Sequence, residues 1–70
     1  MTQAERIIAY IEAHGSITPY DAIIDLGITK LATRVSEMRR FGYKFKKVWE
    51  EGTNRYGETT RYMRYYLIKE

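Results

Sequence analysis

The sequence predicts an α+β fold of three helices followed by a C-terminal β-hairpin, with a short extended segment between helices 1 and 2. Three observations predict it. Cap residues and glycines punctuate the chain as far as Gly42, and between them apolar residues recur at helical spacing. After Gly42 the apolar period changes from about 3.6 residues to about 2. Two runs of strand formers then flank a cluster of Gly52, Asn54 and Gly57, the pattern of a hairpin with a polar loop.

Helix 1 is expected over Gln3–His14. Thr2-Gln3-Ala4-Glu5 has the form of a capping box, in which a hydroxyl and a carboxylate satisfy the first backbone N–H groups. Ala4, Ile7, Ile8 and Ile11 share one face, and His14-Gly15 supplies a polar last turn and a left-handed stop. Ser16-Ile17-Thr18 reads as extended, because Thr18 precedes Pro19 and is steered away from helix. Helix 2 is expected over 19–25. Thr18 is placed to cap it, Pro19 suits its first position, and Asp21 suits its positive end. Ala22, Ile23 and Leu26 are expected to point inward, and Gly27 to end the helix.

Helix 3 is expected over 30–41, with Thr29 as its cap and Gly42 as its stop. Leu31, Val35 and Met38 fall on one narrow stripe. At about 100° per residue, Thr29, Thr33, Ser36 and Arg40 lie opposite it, with Lys30 and Glu37 beside them and Arg34 and Arg39 on the shoulders. The hairpin strands are expected over 43–50 and 59–69. Phe45, Met63, Tyr65 and Leu67 are assigned to the face that packs on the helices, since two strands alone are weak in water. Lys44 and Lys46 then fall on the outer face, and Trp49 is expected to pack within the hairpin.

At 70 residues the chain makes one domain, spanning 1–70. It has no Cys and one His, so neither a disulfide framework nor a Cys or His metal cluster is expected, and no cofactor. There is no Cys nucleophile, no phosphate-cradling glycine loop and no His–carboxylate pair at useful spacing; the chain is not expected to be an enzyme. No apolar run could span a bilayer and the start lacks a secretory pattern, which makes the cytoplasm the expected location and excludes a membrane partner.

Charge is distributed unevenly. Residues 1–28 carry Arg6 against Glu5, Glu12, Asp21 and Asp25, whereas residues 29–49 carry seven bases against Glu37 alone. A concentrated basic middle suits a polyanion. The order of elements is the winged helix-turn-helix plan, in which helix 3 enters the DNA major groove, helix 2 meets the backbone and the hairpin is the wing. On that plan Thr29, Lys30, Thr33, Arg34, Glu37 and Arg40 of helix 3 are the candidates for contact with double-stranded DNA. Arg or Lys matches guanine acceptors, and a carboxylate can accept from cytosine. Thr18, Tyr20, Lys44 and Lys46 are candidates for phosphate, and Asn54 and Arg55 of the wing for the minor groove.

The stretches His14-Gly15-Ser16-Ile17-Thr18-Pro19-Tyr20-Asp21-Ala22, Leu26-Gly27-Ile28 and Leu31 to Tyr43 resemble the small helix-turn-helix proteins encoded by phages and prophages. Thr53-Asn54-Arg55-Tyr56-Gly57-Glu58 and Tyr65-Tyr66-Leu67 are similar to that family's wing and last strand. The resemblance implies a winged helix fold and a regulatory, DNA-binding role in the cytoplasm of a bacterial cell or phage-infected host. Two alternatives belong to other classes: a protein-interaction module that docks on and inhibits a host protein, and an architectural, excisionase-like binder of bent DNA. A homodimer is a further expectation, through helix 1 or the outer tyrosines of the hairpin.

Overall fold

A computed structural model describes residues 2–69; the ends of the expected 1–70 domain, Met1 and Glu70, lie outside the described residues. Helix α1 runs Gln3–His14, as the caps predict. Glu5 N–H donates to Thr2 Oγ1 at 3.1 Å and Thr2 N–H donates to Glu5 Oε1 at 3.0 Å, so the capping box is closed in both directions. Gly15 takes φ 91°, a left-handed value that costs glycine little, and its N–H returns to Ile11 O.

The second helix begins with a second closed capping box. Asp21 N–H donates to Thr18 Oγ1 at 3.2 Å, and Thr18 N–H donates to Asp21 Oδ2 at 3.1 Å. Only Pro19–Asp21 (α2) is α-helical; Ala22–Leu26 continues as a π-helical turn. Gly27, at φ 69°, donates its N–H to both Ala22 O and Ile23 O, and Ile28 N–H reaches back to Ala22 O at 2.9 Å. This double closure drops the buried Ile28 into the core. It also corrects the expected inward face. In this widened turn Ala22 is buried and Leu26 half-buried against the core, whereas Ile23 is outside, 47% exposed.

Helix α3 spans Leu31–Arg40, shorter at both ends than expected. Thr29 is not its cap: Lys30 holds that position, with no side-chain bond to the first turn. Leu31, Val35 and Met38 are buried as the stripe requires. Strands β1 (Phe45–Thr53) and β2 (Thr59–Leu67) pair antiparallel, with Phe45 opposite Leu67 and Thr53 opposite Thr59. β1 therefore starts later than expected and extends three residues past Glu50, and β2 ends before Ile68. The Gly52 predicted for the loop lies inside the strand; the connection is residues 54–58.

The extended segment does more than connect. Ile17 N–H donates to Tyr65 O at 3.0 Å and Tyr65 N–H donates to Ile17 O at 2.8 Å, so Ile17 adds a one-residue strand to the far side of β2. The core gathers around it: Ile7 and Ile11 from α1, Ala22 and Ile28 from the second helix and its turn, Leu31, Val35 and Met38 from α3, and Phe45 and Tyr65 from the sheet. Phe45 and Tyr65 face inward as assigned, with Met63 and Leu67 half-buried against the cluster. Trp49 departs from expectation. It shares their face, opposite Met63, but on the outer strand, and is 68% exposed while Met63 packs on the core.

Because Thr18 is buried and closes the cap, Thr18→Ala is expected to cost about 1–2 kcal/mol. The thermal midpoint should fall by roughly 4–8 °C for each kcal/mol lost, against a Thr29→Ala control that hardly moves. Equal shifts for the two would contradict the capping assignment.

Candidate nucleic-acid interface

The face of α3 opposite its buried stripe is open. Thr33, Ser36 and Arg40 are exposed along it, and Thr29 and Lys30 are exposed just ahead of its first turn. One flank of the helix lies against the start of α1: Arg34, Glu37, Met38 and Phe41 share a recess with Thr2, Gln3 and Ala4. The other shoulder carries Ala32 and Arg39, both exposed. A rod of about 10–12 Å diameter with one polar, cation-bearing face fits a major groove about 12 Å wide.

The expected contact residues separate into two sets. Thr33 and Arg40 stand on the open side, while Thr29 and Lys30, also exposed, line a recess with Gln3 and Arg34. Arg34 and Glu37 are turned toward α1 and committed to each other, with Arg34 Nη1 at 2.9 Å from Glu37 Oε1 and side chains 37% and 45% exposed. That oxygen is itself out of solvent and the approach lacks hydrogen-bond alignment, so the contact is an ion pair and the Oε1 has no directional partner. Ser36 and Arg39 are exposed members of the surface that received no role from the sequence. The helical projection places Ser36 in the middle of the outward face, and that is the signal for it.

Among the phosphate candidates, Tyr20 is 71% exposed, whereas Thr18 is 4% exposed and its hydroxyl oxygen accepts within the capping box. Thr18 is therefore a cap beneath the surface, whereas the Tyr20 side chain is open to solvent. Tyr20 lines a groove of about 530 Å³ between the second helix and the wing, with Tyr62 and Arg64 on the opposite wall. Arg64 is engaged: its Nε donates to Glu50 Oε1 and its Nη1 to Ser16 Oγ, both at 2.8 Å. The Glu50 bond raises the guanidinium pKa above its ordinary value, so this charge stays fixed at the base of the wing. Those two bonds tie β1, β2 and the extended segment together at the base of the wing.

Lys44 is exposed just before β1, and Lys46, paired with Tyr66, is exposed on the face of the hairpin turned from Phe45. With Arg39, Arg40 and Lys47 they form an exposed run of five bases and no acid over residues 39–47. At the tip, Asn54 is an architectural residue. Its Oδ1 accepts from Tyr56 N–H at 2.9 Å and Glu58 N–H at 3.0 Å, while its own N–H donates to Glu58 O at 3.0 Å. This hub folds the loop so that Arg55 and Tyr56 project into solvent.

Helix, bridging strand, second helix, glycine turn, exposed third helix and two-stranded wing follow in one order. A family model described as a winged helix-turn-helix domain matches residues 2–70. The chain belongs to that family. Winged helix-turn-helix domains are typically non-enzymatic and bind DNA, which makes DNA the class of partner its membership points to. No curated protein and no solved structure matches the chain significantly. Among the described residues no group of three or more His, Cys, Asp or Glu could hold a metal ion, and no helix is long and apolar enough to cross a membrane.

Proposed function

We propose that this winged helix-turn-helix domain binds double-stranded DNA as a small transcriptional regulator of the kind phages encode. The observation that carries the proposal is the open face of α3, where Thr33, Ser36 and Arg40 are exposed above a fully buried stripe. On this reading α3 lies in the major groove, with Thr29 and Lys30 at its leading end. Tyr20, Lys44 and Lys46 meet phosphates, and Arg39 joins them. The groove beside Tyr20 gives one sugar-phosphate strand a path between the second helix and the wing. Arg55, held out by the Asn54 hub, reaches the adjacent minor groove, whose acceptors favour a guanidinium. The regulatory role follows from the resemblance of residues 14–43 to phage-encoded helix-turn-helix proteins.

Selection from a random duplex library, followed by titration of the recovered site at several salt concentrations, tests this. A recurrent sequence is expected, bound with a log–log salt slope of about −0.9 for each phosphate neutralised. Affinity that stays flat as salt rises would rule out the proposed interface, because a basic face on a duplex must release counterions.

A further inference from the structure

The outer edge of β1 is a row of unsatisfied backbone groups. In an antiparallel ladder, residues that bond their partner alternate with residues that point away. Lys44 O accepts from Ile68 N–H at 2.8 Å and Asn54 N–H donates to Glu58 O at 3.0 Å, so even-numbered residues of β1 bond toward β2. Tyr65 agrees: it stands opposite Lys47 but exchanges both of its backbone bonds with Ile17. Lys47, Trp49 and Glu51 therefore direct their N–H and C=O groups outward. Among the described residues no strand pairs with that edge.

Exposed edges are commonly protected by charge that repels another strand. A run of one sign would do so here. Instead Lys46-Lys47 precede Val48-Trp49 and Glu50-Glu51 follow it, a charge pattern that inverts about the middle of the strand. A second copy laid antiparallel, with Trp49 on the dyad, sets each Lys47 beside the partner's Glu51. The same register keeps matching faces together and joins the outward N–H and C=O groups in ladder bonds. A parallel copy in register would set lysine on lysine. At the dyad the exposed indole of Trp49 meets its own image, and both leave water together. Glu51 also lies 3.5 Å from Arg61 within one copy, but that pair is largely exposed and worth little.

We propose that the chain forms a twofold dimer through the outer edge of β1, antiparallel and centred on Trp49, so that two wings become one continuous sheet. The dimer does not depend on DNA. If the DNA-binding reading holds, it presents two copies of α3 about a single dyad.

Sedimentation equilibrium of the full chain without DNA tests the proposal, with circular dichroism confirming that each variant is folded. Wild-type mass is expected to climb toward twice the monomer value with concentration. Lys47→Glu and Glu51→Lys each turn two attractive contacts repulsive, and each is expected to weaken association by at least about tenfold. An equimolar mixture of the two variants is expected to associate again, because every contact between positions 47 and 51 then joins unlike charges. A register shifted to another dyad would not produce that recovery. A wild-type chain that remains monomeric at every concentration, or a mixture no stronger than its separate components, overturns the proposal.

Discussion

Ile17→Ala is expected to leave the chain largely unfolded at room temperature. Ile17 is 0% exposed and lies where the sheet meets the helices, in the cluster formed by Ile7, Leu31, Val35 and Tyr65. Truncating a buried isoleucine costs about 2–5 kcal/mol, because the lost transfer energy is joined by a cavity that the surroundings fill only in part. The core of a domain this small rarely supplies more than about 3–5 kcal/mol in total. The two quantities are comparable, so one truncation exhausts most of the stability. Alanine keeps both backbone bonds to Tyr65, which confines the loss to the side chain. Ile23→Ala is the matched control: the same atoms are removed from a position 47% exposed, and the expected cost is below about 1 kcal/mol. Urea unfolding followed by circular dichroism separates the two. Similar midpoints for both variants would mean that the core is not centred on the bridging residue.

The contrast between Ile17 and Ile23 also marks where local sequence rules stop. Helix α1 was legible to its last residue because Thr2, Glu5 and Gly15 act within a few residues of where they stand. The buried stripe of α3 and the inward Phe45 and Tyr65 were legible for the same reason, since a single period fixes each face. Ile17 was legible as extended but not as a strand, because its partner Tyr65 lies 48 positions away and short-range signals do not encode that pairing. Ile23 was misplaced because the 100° rule assumes an α-helix, whereas the closure at Gly27 and Ile28 draws the last turn into a π-helix. Trp49 was misplaced because alternation tells which face a residue is on, not whether the covering of that face reaches across to its strand: its partner Met63 is covered and it is not. At the interface, residue type found the exposed cations, and Arg39 and Ser36 lay in its pattern without a role. What it could not find was commitment: Thr18 to its cap, Asn54 to its loop, and Arg34 to Glu37.

That last commitment gives the other large expected effect. Arg40→Glu is expected to remove most DNA affinity, while a double Arg34→Gln, Glu37→Gln chain keeps it within about threefold. Arg40 stands directly opposite the buried stripe and is exposed. Losing one such contact costs about 1–3 kcal/mol, roughly fivefold to 150-fold in affinity, and a carboxylate adds repulsion from the phosphates. The salt slope should become shallower by about one unit if Arg40 neutralises a phosphate. Arg34 differs although its charge is the same. Its field is already cancelled by Glu37 at 2.9 Å, and both side chains lie on the flank beside α1. Substituting the two together preserves net charge and avoids leaving the Glu37 carboxylate unpaired, which a single Arg34→Ala would do. The slope of the double variant should therefore match wild type. If the double variant instead kept its slope but lost preference at one base position, the pair itself would contact a base. The groove-facing side of α3 would then lie toward α1, with Arg34 among the residues that read sequence.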